Sequence, residues 1–255
     1  MNKLHSLGAD VFPVALVERL RQQTFCFVPS ADARASMAPD VAAWAADWPT
    51  FSDSWSRLEV DTYMGDGGRY RKRRYAVMSA DGAGNLQMEP HQPHYQSLEY
   101  NRLNGGVARH FEPIEDRVMA SPCMQATVAF GHGFFTALYP AAPAHIEIHQ
   151  FRIEARPDRA GLPTPEGIHR DGVDFVLVMM VRRENVESGT TEVFDLSGTR
   201  LAHFTLTDPC DLALVDDQRA LHGVTPVIPR VAGQPAWRDV LVITYRRRLP
   251  LGSDA

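Results

Sequence analysis

The stretch Glu166-Gly167-Ile168-His169-Arg170-Asp171-Gly172-Val173-Asp174-Phe175-Val176-Leu177-Val178 sets an H-x-D triplet directly before an apolar, β-branched run. On an extended chain residues i and i+2 project from one face, so His169 and Asp171 can share an ion while Arg170 points the other way. The apolar run, over 173–182, reads as a strand. It belongs to a series of short β-rich segments at 124–130, 145–154, 190–195, 201–206, 212–215 and 240–245. Turn-forming clusters such as Ser197-Gly198-Thr199 and Asp208-Pro209 separate them. Short strands at regular spacing with turn signals between them predict an all-β sandwich or barrel.

Upstream the pattern differs. Val11, Val14, Ala15, Val17 and Leu20 recur at helical spacing and predict an amphipathic helix over 11–23, followed by a strand over 24–28. A second helix is expected over 36–48, with Val41, Trp44, Ala45 and Trp48 on one face. A turn at 65–68 and a strand over 70–78 follow. Residues 81–121 hold few regular patterns but many polar, aromatic and turn-forming residues, as expected of a segment that carries binding groups. The expectation is a mainly β architecture with flanking helices. One domain spans 1–255, with an N-terminal helical part (1–50) packed on a β-barrel core (121–250).

The chain has 255 residues and 44% hydrophobic content, enough to bury a substantial core. Lys+Arg 26 against Asp+Glu 31 gives a net charge of −5, the wrong sign for binding nucleic acid through a basic face. The one basic run, Arg69-Tyr70-Arg71-Lys72-Arg73-Arg74, reads in that setting as a solvated strand edge. Cys26, Cys123 and Cys210 are widely spaced with no C-x-x-C pair, which disfavours a disulfide framework or a zinc ribbon. They read as buried thiols of a reducing cytoplasm. The first ten residues lack the apolar core of a signal peptide, and no window is apolar for long enough to span a bilayer. A cytoplasmic protein is expected, with neither nucleic acid nor membrane as partner.

A second imidazole follows in Ala220-Leu221-His222-Gly223-Val224. Two imidazoles and one carboxylate on one side of a metal leave three coordination positions open, the arrangement of non-haem Fe(II) oxygenases. H-x-D alone is a weak signal, and His145-Ile146-Glu147-Ile148-His149 offers a rival set of three ligands. Adjacent side chains on one strand face make a poor cage for a single ion, so His169, Asp171 and His222 are preferred. Arg238 opens the strand-like Arg238-Asp239-Val240-Leu241-Val242-Ile243-Thr244-Tyr245. A guanidinium there can grip a carboxylate through two parallel hydrogen bonds. Arg230, which follows Pro229 in a loop, is the weaker choice.

The segments P-E-G-I-H-R-D-G-V-D-F-V (165–176), R-R-E-N-V (182–186), L-H-G-V-T-P (221–226) and R-D-V-L-V-I-T-Y (238–245) resemble the 2-oxoglutarate/Fe(II)-dependent dioxygenases. More narrowly, they are similar to the bacterial family that includes L-isoleucine dioxygenase, whose members oxidise free aliphatic amino acids. R-Y-R-K-R-R-Y (69–75) and P-H-Q-P-H-Y-Q-S (90–97) fit that family less specifically, so the likeness covers most of 60–248. The resemblance implies a double-stranded β-helix, or jelly roll, with the metal near one mouth. It implies His169, Asp171 and His222 as iron ligands and Arg238 as partner of the 2-oxoglutarate C5 carboxylate. Fe(II), 2-oxoglutarate and O2 follow, with release of succinate and CO2 and a ferryl-oxo species that hydroxylates a small molecule. A free L-amino acid is the preferred substrate.

The substrate side is thinner. Tyr95, Gln96, Ser97, Glu99, Tyr100, Asn101 and Arg109 are candidates, each of which also suits structural hydrogen bonding in a buried loop. Two other readings stay open. One is a cupin-like metal-dependent hydrolase or isomerase using zinc or manganese at this site or at His145, Glu147 and His149. The other is a non-catalytic binding or sensor protein on the same barrel. No residue beside the ligands reads as a dedicated general base, and a full ligand set with Arg238 argues against a decayed site.

Overall fold

The computed structural model describes residues 14–38 and 40–248, so the expected helix from 11 is seen from Val14 onward. In chain order the elements are α1 (Val14–Gln23), β1 (Phe25–Val28), α2 (Ser30–Met37), α3 (Val41–Asp53), β2 (Glu59–Val60), β3 (Arg71–Ala80) and β4 (Leu86–Met88). There follow α4 (Asp116–Met119), α5 (Pro122–Leu138), β5 (Ala144–Ala155), β6 (Phe175–Glu184), β7 (Thr191–Asp195), β8 (Arg200–Phe204), β9 (Leu212–Asp216), β10 (Ala220–Val224) and β11 (Ala236–Arg247).

An 8-stranded sheet runs in the order β1-β9-β6-β11-β5-β3-β2 with β4 on β3, and a 3-stranded sheet runs β10-β7-β8. The two face each other: Val176 and Val215 of the larger sheet pack with Val193 and Ala220 of the smaller. This is a jelly roll whose sheets stay open rather than closing into the expected barrel. The edge strand β2 has only two residues, too few to carry a ladder on to the second sheet.

Strand alternation sorts the large sheet into two faces. Ile146 and Ile148 of β5, Leu177 and Met179 of β6, Leu212 and Leu214 of β9, and Leu241, Ile243 and Tyr245 of β11 all enter one core cluster with residues of α1, α2, α3 and α5. The residues between them point the other way and line a cavity: Glu147, His149, Phe151 and Ile153 of β5, Arg238, Val240, Val242 and Thr244 of β11, and Val176 and Val178 of β6. Helices therefore back the sheet on one side, and the side chains that can do chemistry share the other.

Three local expectations change. Residues 124–130, read as a β-rich run opening the core at 121, lie in α5, and the large sheet instead recruits β1 and β3 from upstream. Ser121 caps α5 by accepting from Met124 N at 3.2 Å, and Pro122 suits the first turn. Both signals were legible, but the apolar character on nearly all sides of α5, nine of whose residues are buried, blurs the helical stripe. The helix expected over 36–48 is two helices, because Asp40 starts α3 afresh by accepting from Ala43 N at 2.9 Å. Third, the basic run is no solvated edge: Arg71 and Arg73 are buried and line the cavity, while Lys72 pairs with Glu154 at 2.6 Å. Gly131 of α5 marks a close approach, since a Cβ there would lie 2.5 Å from the Tyr245 hydroxyl, which donates to Val128 O at 3.0 Å.

No helix among the described residues is long and apolar enough to cross a membrane. Cys26, Cys123 and Cys210 are free and buried.

Candidate active site

His169 sits in the loop before β6, and His222 is the middle residue of β10. Their backbones form an isolated antiparallel bridge, each N–H donating to the other's carbonyl at 2.9 Å. Paired residues of this kind carry their side chains to the same side. The imidazole centroids are 4.7 Å apart. Asp171 reaches between them, with Oδ1 3.5 Å from His169 Nε2 and Oδ2 3.5 Å from His222 Nε2. One donor atom from each of the three residues falls within 4.8 Å of the others.

The surroundings fix the tautomer and the carboxylate. His169 Nδ1 lies 3.0 Å from the Gly167 carbonyl, which can only accept, so Nδ1 carries the proton and Nε2 faces Asp171. Asp217, buried beneath, accepts from the backbone N–H groups of Asp171, Gly172 and Val173 at 3.0, 2.9 and 3.1 Å. Gly172 has φ +78, and a Cβ there would lie 2.5 Å from the Tyr100 ring.

Electrostatics test whether a cation belongs here. Burial pushes the His169 imidazole down, but the Asp171 carboxylate, Glu166 and the Gly167 carbonyl outweigh it and raise it to about 9. Burial lifts the Asp171 carboxyl, and the two imidazoles overcome that and hold it well below the usual carboxylate range. The Asp217 carboxyl is raised by its burial and by Asp171. The cluster is short of positive charge, and its N,N,O donor set suits Fe(II). The residues fit the metal.

On β11, Arg238 is 2% exposed, lines the same cavity, and has Nε and Nη2 without hydrogen-bond partners among the described residues. Burial and the neighbouring Arg183 push its guanidinium down to about 10. A buried cation with free donors calls for an anionic ligand. Thr244, six residues farther along the same face, lines the wall as well.

Elsewhere the cavity is lined by Arg71, Arg73, His94, Arg109, Glu147 and His149. Arg71 pairs with Asp61 at 2.7 Å. Arg73 stacks over the rings of Phe111 at 3.7 Å and Phe151 at 4.5 Å, and its Nη2 lies 2.6 Å from His149 Nδ1. Glu147 accepts from the Tyr75 hydroxyl at 2.7 Å and lies 3.2 Å from His94 Nδ1. His94, Glu147 and His149 form a second cluster of metal-ligand types. The guanidinium on His149 and the hydroxyl on Glu147 already engage two of its members, and a cation there would face Arg73. The rival segment is thus a hydrogen-bonded wall, with His94 in the position the sequence offered to His145. Burial drives the His149 imidazole down to about 3, so it is neutral.

Of the candidate substrate residues, the structure brings Gln96, Asn101 and Arg109 to the cavity. Gln96 Nε2 donates to Asp171 O at 3.1 Å, and Gln96 Oε1 accepts from Asn101 Nδ2 at 3.1 Å and Arg109 Nη2 at 3.4 Å. Tyr95 is 60% exposed, Glu99 is exposed, and Ser97 and Tyr100 lie outside the lining. Tyr95 faces solvent, and Tyr100 instead packs on Gly172 and under Arg170 at 5.6 Å. Arg230 is also absent from the lining. Sequence reasoning missed Arg71, Arg73, His94, Glu166 and the outcome at Glu147 and His149. The i, i+2 spacing of Arg71 and Arg73 was a usable signal, because on a strand it puts both on one face.

A family model described as 2OG-Fe dioxygenase matches residues 52–244. The L-isoleucine-4-hydroxylase of Bacillus thuringiensis is 27% identical over 194 residues, covering 74% of this chain and 78% of that protein. The 3(1)-hydroxy-L-isoleucine 4-dioxygenase of Pantoea ananatis (strain AJ13355) is 23% identical over 234 residues, covering 89% and 94%. Among solved structures, a bsmA homolog from Methylobium petroleophilum PM1 superposes with a TM-score of 0.82 at 36% identity, over 95% of this chain and 96% of that one.

Proposed function

The chain belongs to the 2OG-Fe dioxygenase family, and on that premise we propose that it hydroxylates a free L-amino acid at iron held by His169, Asp171 and His222. Membership makes it an iron- and 2-oxoglutarate-dependent oxidoreductase with a small-molecule substrate, in place of the hydrolase, isomerase and sensor readings. Bound Fe(II) with 2-oxoglutarate and O2 supplies the oxidation, in which the co-substrate loses CO2 to give succinate and the substrate gains a hydroxyl group. One observation carries the assignment of residues. Two imidazoles, a carboxylate and a guanidinium with free donors line a single cavity.

The parts then follow. His169 and Asp171 come from one extended segment, and His222 from the strand bridged to it, so backbone pairing sets their spacing. Asp217 braces the Asp171 backbone. Arg238 takes the C5 carboxylate of 2-oxoglutarate, and the valines of β6, β9 and β11 keep that wall dry. Gln96, Asn101 and Arg109 contact the substrate. The amino-acid substrate draws its support from the two isoleucine-oxidising relatives. One domain over 1–255 and a cytoplasmic location belong to the same reading, the latter in keeping with three free buried cysteines.

The test is a mass-spectrometric screen of free L-amino acids with Fe(II), ascorbate and 2-oxoglutarate. Succinate formation that depends on one of them, with a product heavier by one oxygen, is the expected result. No amino-acid-dependent succinate removes the amino-acid substrate.

A further inference from the structure

Beyond the metal centre and Arg238, four residues on the cavity wall keep a buried polar atom without a hydrogen-bond partner among the described residues: Arg71 Nη2, Arg73 Nε, Arg109 Nε and Glu166 Oε2. Arg73 is otherwise engaged, by Phe111, Phe151 and His149. Arg71 is neutralised by Asp61. Arg109 and Glu166 differ. Arg109 is 2% exposed, its hydrogen bond to Gln96 is long at 3.4 Å, and no carboxylate of the described residues forms a salt bridge with it. Glu166 has its side chain 11% exposed and, among the described residues, meets no guanidinium or ammonium, only His169 Nε2 at 3.5 Å. Isolated buried charges are costly, and a pair left open in one cavity is stabilised by a ligand that brings the complementary charges.

Arg109 and Glu166 are near enough to influence each other's charge, yet they do not touch. A ligand that carries a carboxylate and an ammonium a few bonds apart satisfies both. Resting on the amino-acid reading above, we propose that Arg109 holds the substrate's α-carboxylate and Glu166 its α-ammonium, so that the site selects the unmodified zwitterion. An N-acylated amino acid would leave Glu166 facing an uncharged amide. A simple carboxylic acid would leave it unpaired. The substrate's aliphatic side chain is left to the wall formed by Val176, Val178, Val215, Val240 and Val242.

The experiment uses the full chain loaded with Mn(II) and 2-oxoglutarate, which binds substrate without turnover. Isothermal titration with each proteinogenic L-amino acid identifies the tightest ligand; its N-acetyl and des-amino forms are then titrated. Wild type should bind the free amino acid best. Glu166→Gln should weaken it by roughly 10- to 100-fold, the range for a lost charged hydrogen bond, and leave the des-amino acid unchanged. Arg109→Lys should weaken both, because a point charge replaces a planar fork. Glu166→Gln must keep the Mn(II) affinity of wild type; a fall there would make Glu166 a metal ligand and overturn the proposal. So would equal affinity of Glu166→Gln and wild type for the amino acid, or of Arg109→Lys and wild type for the des-amino acid. If wild type takes up Mn(II) and 2-oxoglutarate but no amino acid, the substrate reading itself fails, and this proposal with it.

Discussion

His169 and His222 face each other across one antiparallel bridge, each backbone N–H donating to the other's carbonyl at 2.9 Å. The bridge adds a residue of the loop before β6 to the edge of β10, and the two imidazoles arrive 4.7 Å apart. Position is thus set by backbone hydrogen bonds, and the charge pattern of the cluster calls for a metal. Replacing His169, Asp171 or His222 singly by Ala should therefore abolish Mn(II) binding in isothermal titration while leaving the thermal unfolding cooperative. The weak visible band formed anaerobically with Fe(II) and 2-oxoglutarate should vanish with it. Retained metal affinity in any one variant removes that residue from the centre.

Arg238 should act on the co-substrate alone. Arg238→Ala is expected to raise the Kd for 2-oxoglutarate by roughly 10- to 100-fold, as for loss of a charge-assisted pair, with Mn(II) affinity kept. Titration of 2-oxoglutarate into the Mn(II)-loaded variant decides. An unchanged Kd would assign the free donors of Arg238 to another ligand.

Asp217 touches no ligand atom closely, its nearest approach to the His222 ring being 3.8 Å, yet it collects three backbone N–H groups around Asp171. Asp217→Asn keeps the shape but turns one acceptor into a donor facing those groups. Metal affinity should fall by roughly 10- to 100-fold, the usual effect of an orienting partner. Full metal affinity in the variant would mean that the Asp171 loop is held by other contacts.

His149 predicts acid sensitivity. Its imidazole is neutral in the folded protein, pushed down to about 3 by burial. In the unfolded chain it protonates near the ordinary value of ~6.5. Between those two values the unfolded state binds more protons, so stability rises with pH and is lost as pH falls below ~6.5. His149→Gln keeps an acceptor for Arg73 and removes the titration. The Tm of wild type should drop further from pH 7 to pH 5 than that of the variant; equal drops would show that His149 is not the group responsible.

Gly131 and Tyr245 should be coupled. Gly131→Ala puts a methyl 2.5 Å from the Tyr245 hydroxyl and should destabilise by about 1–3 kcal/mol through overpacking. In Tyr245→Phe the obstructing oxygen is gone, so the same change should cost less, read as a non-additive double-mutant cycle in urea. Strict additivity would mean that the backbone of α5 moves aside instead.

Legibility followed distance along the chain. The pairing of His169 with Asp171 was readable because i, i+2 geometry is a property of any extended segment. So was the alternation of β5, whose isoleucines pack on the helices and whose Glu147 and His149 face the cavity. Helix α5 was misread where a helix buried on most sides shows apolar and β-branched residues much as a strand does. Tyr95 and Tyr100 were candidates that the loop's own turns direct elsewhere, and no periodicity governs an irregular loop.

By itself, then, the sequence determined the H-x-D pair, the strand-rich half and the arginine that opens the last strand, since each depends on a few adjacent residues. Only the tertiary structure decided that the two sheets stay open, that Arg71 and Arg73 turn inward, and that Arg109 from the irregular segment lines the same cavity as Glu166. Those outcomes rest on which face of β3 is buried and on pairings between residues far apart in the chain. Their energies come from many contacts at once, and no local pattern encodes them.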